Sequence, residues 1–404
     1  MNHSSFTVIG ISDAPHPWFP PDITDEINAA RVFSGGRRHH EIMRDKLPEQ
    51  ARWIDITVPL DAVFDQYREV FDQGEPSIVV FASGDPLFFG FANTIRRKMP
   101  HADIRIHPAF NSLQTLAHRL VMPYHDMRIV SLTGRPWHEF DRAIIEQTDK
   151  MGVLTDRENT PAAIARHLLD YGFDDYDMVV GEHLGNPSCE KVTRLTLEEA
   201  ALYEASHPNN LILKRKTGAR NRRRFGIPDH EFALLDSRER MITKMPIRLL
   251  SLQALELQRR SVMWDVGFCT GSVSIEAKLQ FPHLNIVSFE IRNEGAELME
   301  TNSRRFHAPG IRAVIGDFLA TDVSTFPIPD AAFIGGHGGK LIDIIGKLTA
   351  IMPSGGIIVM NAVSLQSREL FEEAVAKYGL TAHNPIHIVL DNYNPIDILK
   401  ATIP

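Results

Sequence analysis

Residues 264–277 read WDVGFCTGSVSIEA, and their order decides the fold of half the chain. An apolar run from Ser261 ends in Asp265 and Gly267, a loop follows with Cys269, Thr270 and Gly271, and helical spacing begins near Ser272. Glycines let a ligand approach the backbone closely, and the start of a helix offers unpaired N–H groups. A strand that passes through such a loop into a helix opens a parallel α/β sheet. A dinucleotide fingerprint wants its last glycine where Ser272 stands, which disfavours hydride transfer.

Downstream, a strand over Asn285 to Phe289 ends in Glu290, nineteen residues past Gly271, the offset at which a carboxylate grips a ribose diol. The alternative is a surface glutamate that follows a strand. Ala313 to Ile315 then leads to Gly316, Asp317 and Phe318, an acid and an aromatic suited to the amino group and face of adenine. Asp265, the loop of Gly267, Thr270 and Gly271, Glu290, and Asp317 with Phe318 thus fall at three successive strand ends, where open parallel sheets bind ligands. This constellation resembles the class I S-adenosylmethionine-dependent methyltransferases.

Two further segments narrow the resemblance. MITKMPIR (241–248), with Thr243, Lys244 and Arg248, precedes the first helix of this half, and FIGGHGG (333–339), with Gly335, Gly336 and His337, follows its fourth strand. Both resemble the decarboxylating precorrin C-15 methyltransferase domain, which implies donor contacts at Thr243, Gly335 and Gly336. That family usually has a small residue in place of His337 and often one in place of Cys269. An imidazole titrates near neutrality, so His337 is a candidate acid or base, the alternative being a solvent-facing loop histidine.

The first half alternates β-branched runs (Phe6 to Ile11, Ser77 to Ala82, Met127 to Leu132, Met151 to Thr155, Asp177 to Gly181) with helical patterns such as Pro161 to Tyr171, which predicts a second α/β domain. Within it lie VIGIS with Gly10, SGDP with Gly84 and Asp85, HPAFNS with Asn111 and Ser112, SLTGR with Leu132, and GEHLGNP with Glu182. Alone, a GDP turn or a GNP turn is only a turn. Together these segments resemble the tetrapyrrole methylases, class III methyltransferases whose donor lies folded between two α/β subdomains. The resemblance carries donor contacts onto Gly10, Gly84, Asp85, Ser112, Leu132 and Glu182. The first loop holds less glycine than that family's and continues as PHPWFPP.

With 404 residues, 43% hydrophobic and 23% charged, the chain is expected to fold as two globular domains. No apolar run is long enough to span a bilayer and the start lacks a leader pattern, so a cytoplasmic protein with no membrane contact is expected. Cys189 and Cys269 are too few for a disulfide framework or a thiolate metal site, and no metal is expected. A net charge of -8 argues against a surface that tracks nucleic acid, so an anionic ligand must meet a local basic patch.

One such patch is the run Lys214, Arg215, Lys216, Arg220, Arg222, Arg223 and Arg224. The breakers Ser206 to Asn210 precede it. The expected organisation is therefore a methylase domain over 1–210, a basic linker over 211–226 and a class I domain over 227–404. The linker either binds substrate or is merely solvated.

In order and extent the two motif sets resemble the fused precorrin-6Y C5,15-methyltransferases. The implied fold is a two-subdomain tetrapyrrole-methylase domain followed by a class I Rossmann-like domain. The implied chemistry is methylation of carbons 5 and 15 of an anionic tetrapyrrole with decarboxylation of its carbon-12 acetate, using S-adenosyl-L-methionine at one site per domain. The family also implies a homo-oligomer, and Lys244 and Arg248 become candidate substrate ligands. Two competing readings stay open: a nucleic-acid methyltransferase, although no Asn-Pro-Pro-aromatic element follows the fourth strand, and a chain in which one domain only binds donor.

Overall fold

The computed structural model describes residues 4–216, 225–238, 241–391 and 394–404. The chain forms two compact units, one of Met1–Arg135, Asp149–Arg166 and Asp175–Lys216, the other of Pro136–Thr148, His167–Asp174 and Thr217–Pro404.

The first unit holds two five-stranded sheets. In the first sheet β1 (Ser5–Ile11), β2 (Val32–Gly35), β3 (Arg52–Asp55), β4 (Ser77–Ser83) and β5 (Asp103–His107) run parallel in the order β3-β2-β4-β1-β5. Helices cover both faces of such a sheet, so its strands are apolar throughout rather than alternating. Accordingly Phe6, Val8, Ile78 and Val80 pack into one core, and Ile9, Ile11, Val79 and Phe81 into another.

The second sheet comprises β6 (Arg128–Ser131), β7 (Lys150–Leu154), β8 (Tyr176–Glu182), β9 (Lys191–Leu195) and β10 (Asn209–Arg215), in the order β6-β7-β10-β8-β9. β10 lies in its centre, antiparallel to both β7 and β8. This corrects the linker expected at 211–226. Leu211, Ile212 and Leu213 are fully buried, and Arg215 pairs with Asp175 through Nε at 2.5 Å. The breakers at 206–210 lead into a strand, and two of the basic residues, Lys214 and Arg215, are its last two. Arg220 and Arg222 to Arg224 lie outside the described residues.

The second unit is built on an eight-stranded sheet of β11 (Val262–Val266), β12 (Asn285–Glu290), β13 (Ile311–Ile315), β14 (Ala331–Ile334), β15 (Ile357–Ala362), β16 (Thr381–Ala382), β17 (Ile386–Ile388) and β18 (Ile396–Thr402). Five strands are parallel in the order β13-β12-β11-β14-β15, and β18 joins β15 antiparallel. β17 pairs antiparallel with β18. Successive residues of a strand face opposite sides, so Trp264, Val266 and Phe289 enter one core and Met263, Ile286 and Phe333 the other. The strand order reverses between β11 and β14, which places a ligand crevice at their carboxyl ends. Both predicted α/β domains are present.

Candidate active sites

β11 enters the glycine loop at Gly267, whose φ of 79° suits only glycine; a Cβ there would stand 2.6 Å from the backbone N and O of Gly336. The two glycine segments, 267–271 and 335–339, therefore meet backbone to backbone. Beside them lies a cavity of about 370 Å³ lined by Gly267, Cys269, Glu290, Arg292, Asp317, Phe318, Gly335, Gly336, His337 and Lys340, among others. That volume falls in the range of small-molecule sites.

Glu290 ends β12 with its side chain almost fully buried; Oε2 accepts the Cys269 N–H at 2.9 Å and Oε1 the Arg292 N–H at 3.1 Å. The half-exposed Arg292 guanidinium lies 3.3 Å from Oε1. Asp317 accepts the Leu319 N–H at 2.9 Å through Oδ1 and binds Lys340 Nζ at 2.8 Å through Oδ2. The hydrogen bond from Lys340 holds the Asp317 carboxyl below its usual range. His337 Nδ1 accepts the Gly339 N–H at 3.2 Å, and burial lowers its pKa, which favours the neutral ring with its proton on Nε2.

Asp265 stands behind this wall. It is 1% exposed; Oδ2 accepts the Ser274 hydroxyl at 2.5 Å, Ser274 in turn lies 2.8 Å from Ser288, and Oδ1 has no partner. Burial, with the nearby Glu290 charge adding to it, pushes the Asp265 carboxyl up to about 7. Val266 and Gly267, which follow it, line the cavity. Thr270 and Gly271 do not. The Thr270 hydroxyl is buried without a partner, and a Cβ on Gly271 would meet Met299 Sδ at 2.7 Å.

Three predicted residues have other tasks. Arg248 is fully buried: its guanidinium binds Asp229 and Glu276, each at 3.3 Å, and donates to the carbonyls of Thr243, at 2.9 Å, and Ile227. Lys244 Nζ is largely buried 3.8 Å from the same Asp229 carboxylate. The position of Arg248 corrects its expected substrate contact, because a guanidinium saturated inside the protein cannot meet a ligand carboxylate. Thr243 takes part through its carbonyl and does not line the cavity, whereas Met241 does.

In the first unit a cavity of about 450 Å³ is lined by Gly84, Asn111, Ser112, Ser131, Thr133, Leu154, Gly181, Asn210 and further residues. Ser112 opens helix Ser112–Arg119, capped by Asn111, whose Oδ1 accepts the Gln114 N–H at 2.9 Å. Asp85 instead closes its own turn, Oδ1 accepting the Leu87 N–H at 2.8 Å. Leu132 and Glu182 miss the cavity by one residue. Leu132 is fully buried, and the Glu182 carboxylate accepts the Tyr203 hydroxyl at 2.5 Å and the Ser206 N–H at 2.6 Å. Gly10 lines an adjoining cavity of about 510 Å³, with Trp18, His107, Phe110 and Arg119.

Two features escape sequence reasoning. Arg38 binds Asp13 at 2.7 Å and Ser83 Oγ at 2.9 Å, and His39 Nε2 lies 2.9 Å from the same oxygen. Asp13, Arg38, His39 and Ser83 all line the cavity of about 450 Å³ that also holds Gly84 and Ser112. Burial first and the Arg38 charge second bring the His39 ring down to about 4, so it is neutral at physiological pH. The second feature is the buried amide of Asn210. No spacing rule marks either one, since both arise where segments distant along the chain converge.

Residues 236–393 match the precorrin methyltransferase domain, and residues 25–201 the tetrapyrrole (corrin/porphyrin) methylases. A precorrin-6Y C(5,15)-methyltransferase [decarboxylating] of Sinorhizobium is 30% identical over 376 residues, 92% of this chain and 88% of that protein. The chain belongs to the precorrin-6Y C(5,15)-methyltransferase family. It is also similar, over part of its length in each case, to two proteins of Salmonella typhimurium. A cobalt-precorrin-6B C(15)-methyltransferase (decarboxylating) is 33% identical over 38% of this chain and 79% of its own length. A cobalt-precorrin-7 C(5)-methyltransferase is 29% identical over 44% of this chain and 84% of its own. A solved precorrin-6y C5,15-methyltransferase from Geobacter metallireducens GS-15 superimposes with a TM-score of 0.41 at 32% identity, covering 45% of this chain and 98% of that one. Among the described residues of this family member, no helix is long and apolar enough to cross a membrane, and no group of side chains is arranged to hold a metal ion.

Proposed function

We propose that this methyltransferase binds one S-adenosyl-L-methionine in each unit and methylates carbons 5 and 15 of a precorrin macrocycle, with decarboxylation of its carbon-12 acetate. The observation that carries the reading is the pair of cavities, each framed by its own glycine-bearing strand ends. The domain division proposed with it is a methylase portion through β10 and a class I portion from 225 onward.

The residues present fit the donor. In the C-terminal cavity Glu290 faces the ribose, Asp317 and Phe318 the adenine, and the Gly267 and Gly335–Gly336 backbones allow close approach. In the N-terminal cavity Gly84 and Ser112 hold the corresponding place, and the adjoining cavity, with its exposed Trp18 and Phe110, receives the macrocycle. The donor supplies an electrophilic methyl group. The protein holds a nucleophilic ring carbon in line with it and keeps water out, which supplies much of the rate.

Arg292 and Lys340, both about half exposed, take over the substrate-binding role first expected of Arg248 and Lys244. The protonated Nε2 of His337 is the proton-handling group of the C-terminal cavity.

Titration of S-adenosylhomocysteine into the whole chain tests the two-site reading. Two sites are expected, one of them pH-dependent. Asp265 lies behind the cavity wall and its ionised form attracts the ligand's ammonium across Val266 and Gly267 without touching it, so binding at the C-terminal site is expected to favour loss of the proton held up to about pH 7. Affinity there should rise on going from pH 5.5 to 7.5, by roughly tenfold per unit at most, while the N-terminal site changes little. In the free chain the same raised pKa stabilises below the ordinary carboxyl range, and that stabilisation is lost as pH rises through 7. A single site, or two with the same pH profile, would contradict the reading.

A further inference from the structure

Asn210 is 1% exposed, yet neither its Nδ2 nor its Oδ1 has a hydrogen-bond partner. Its neighbour Asn209 shows the contrast: Nδ2 donates to the Ser206 carbonyl at 2.9 Å and Oδ1 accepts the Thr155 hydroxyl at 2.7 Å. A buried amide with both ends unmade penalises the folded chain, and such groups are rare in native proteins. The apolar alternative was at hand. Ile212, two residues along the same strand and so on the same face, packs with Leu113, Leu116 and Leu184. An amide in this position needs a partner that the chain itself does not supply.

The setting indicates which partner. In β10, Asn210 stands opposite Leu154 of β7 on one side and Gly181 of β8 on the other. All three residues line the N-terminal cavity. A strand row of leucine, amide and glycine offers an apolar floor with one donor and one acceptor side by side. Ribose hydroxyls and a carboxylate need single donors or acceptors from several directions. An adenine edge presents an amino N–H beside a ring nitrogen lone pair, which a planar amide matches with two parallel hydrogen bonds.

We infer that the Asn210 amide reads the adenine edge of the donor bound in the N-terminal cavity. The inference rests on the two-site reading above and adds a specificity-determining residue to it. Asn210 is then a group whose hydrogen bonds are completed by ligand, so the site sacrifices stability in the free chain for selectivity in the bound one.

The test is calorimetric titration of S-adenosylhomocysteine into full-length wild type and Asn210→Leu, with Glu290→Ala used to assign the C-terminal isotherm. Asn210→Leu should weaken the N-terminal site by about 5- to 150-fold, the range of one bidentate amide–base pair. The C-terminal site should be unchanged and the melting temperature equal or higher, because a penalised amide has been removed. A merely structural asparagine would give the opposite pattern, a lower melting temperature with both affinities intact, and that result overturns the inference.

A ligand-side arm does not depend on the variant folding. An S-adenosylhomocysteine analogue dimethylated on the adenine amino group should lose affinity at the wild-type N-terminal site. Equal binding of analogue and parent there overturns the inference while leaving the two-site reading intact. Absence of any N-terminal isotherm in the wild type overturns both.

Discussion

Arg248→Met is expected to lower the stability of the C-terminal unit by about 3–5 kcal/mol, the usual consequence of removing one partner of a buried ion pair. Its KM for an acidic macrocycle should stay unchanged. Arg248 and Glu276 are both fully buried, and the Glu276 carboxylate also accepts the N–H groups of Gly226 and Ile227, at 2.9 and 3.0 Å. Arg248 returns to the same segment through the Ile227 carbonyl and through Asp229. The pair thus ties residues 226–229 to helices Met245–Ala254 and Ser272–Gln280. Methionine keeps much of the volume but leaves Glu276 charged and buried. The double variant Arg248→Met/Glu276→Gln should recover part of the loss, because the stranded charge is gone. Urea denaturation reads both. A wild-type midpoint with a raised KM would return Arg248 to the substrate site.

Gly10→Ala should cost more than about 3 kcal/mol and abolish donor binding in the N-terminal cavity while sparing the C-terminal one. A Cβ at Gly10 would lie 1.9 Å from the Gly84 carbonyl oxygen and 2.7 Å from the Ala109 nitrogen. Both are backbone atoms, so no rotamer change relieves the clash. The Ala109 N–H donates to that same Gly84 oxygen at 3.3 Å, so the added methyl also splits the contact between the loops after β4 and β5. Those loops carry Gly84 and Ser112 to the cavity. Denaturation and an S-adenosylhomocysteine titration on the same variant check both effects. A Gly10→Ala chain with wild-type stability and two intact sites would remove Gly10 from the account.

The sequence revealed what local periodicity and strand-end chemistry encode. The run from Ser261 through Gly271, Glu290 at the end of β12 and Asp317 after β13 fall where spacing placed them, because in a parallel sheet the ligand crevice follows from connectivity. Direction was harder to read than position. Strand neighbours alternate faces, so Leu132 and Glu182 point inward while Ser131, Thr133 and Gly181 reach the cavity.

Charge misled for a related reason. Lysine and arginine suggest exposure, but burial depends on partners that lie far along the chain. Arg248 finds Glu276 twenty-eight residues away, and Arg215 finds Asp175 forty residues away. β10 was hidden because its breakers and its basic end look like a linker, whereas three fully buried aliphatic residues lie between them. Asn210 was illegible for the same reason. Only pairing with β7 and β8 shows that its amide is enclosed and unmatched.

The most direct test of the whole account is mass analysis of the product formed when the full chain turns over precorrin-6Y with methyl-labelled S-adenosylmethionine. The account predicts two labelled methyl groups per macrocycle and loss of one carbon dioxide. One label, or two without decarboxylation, would contradict it.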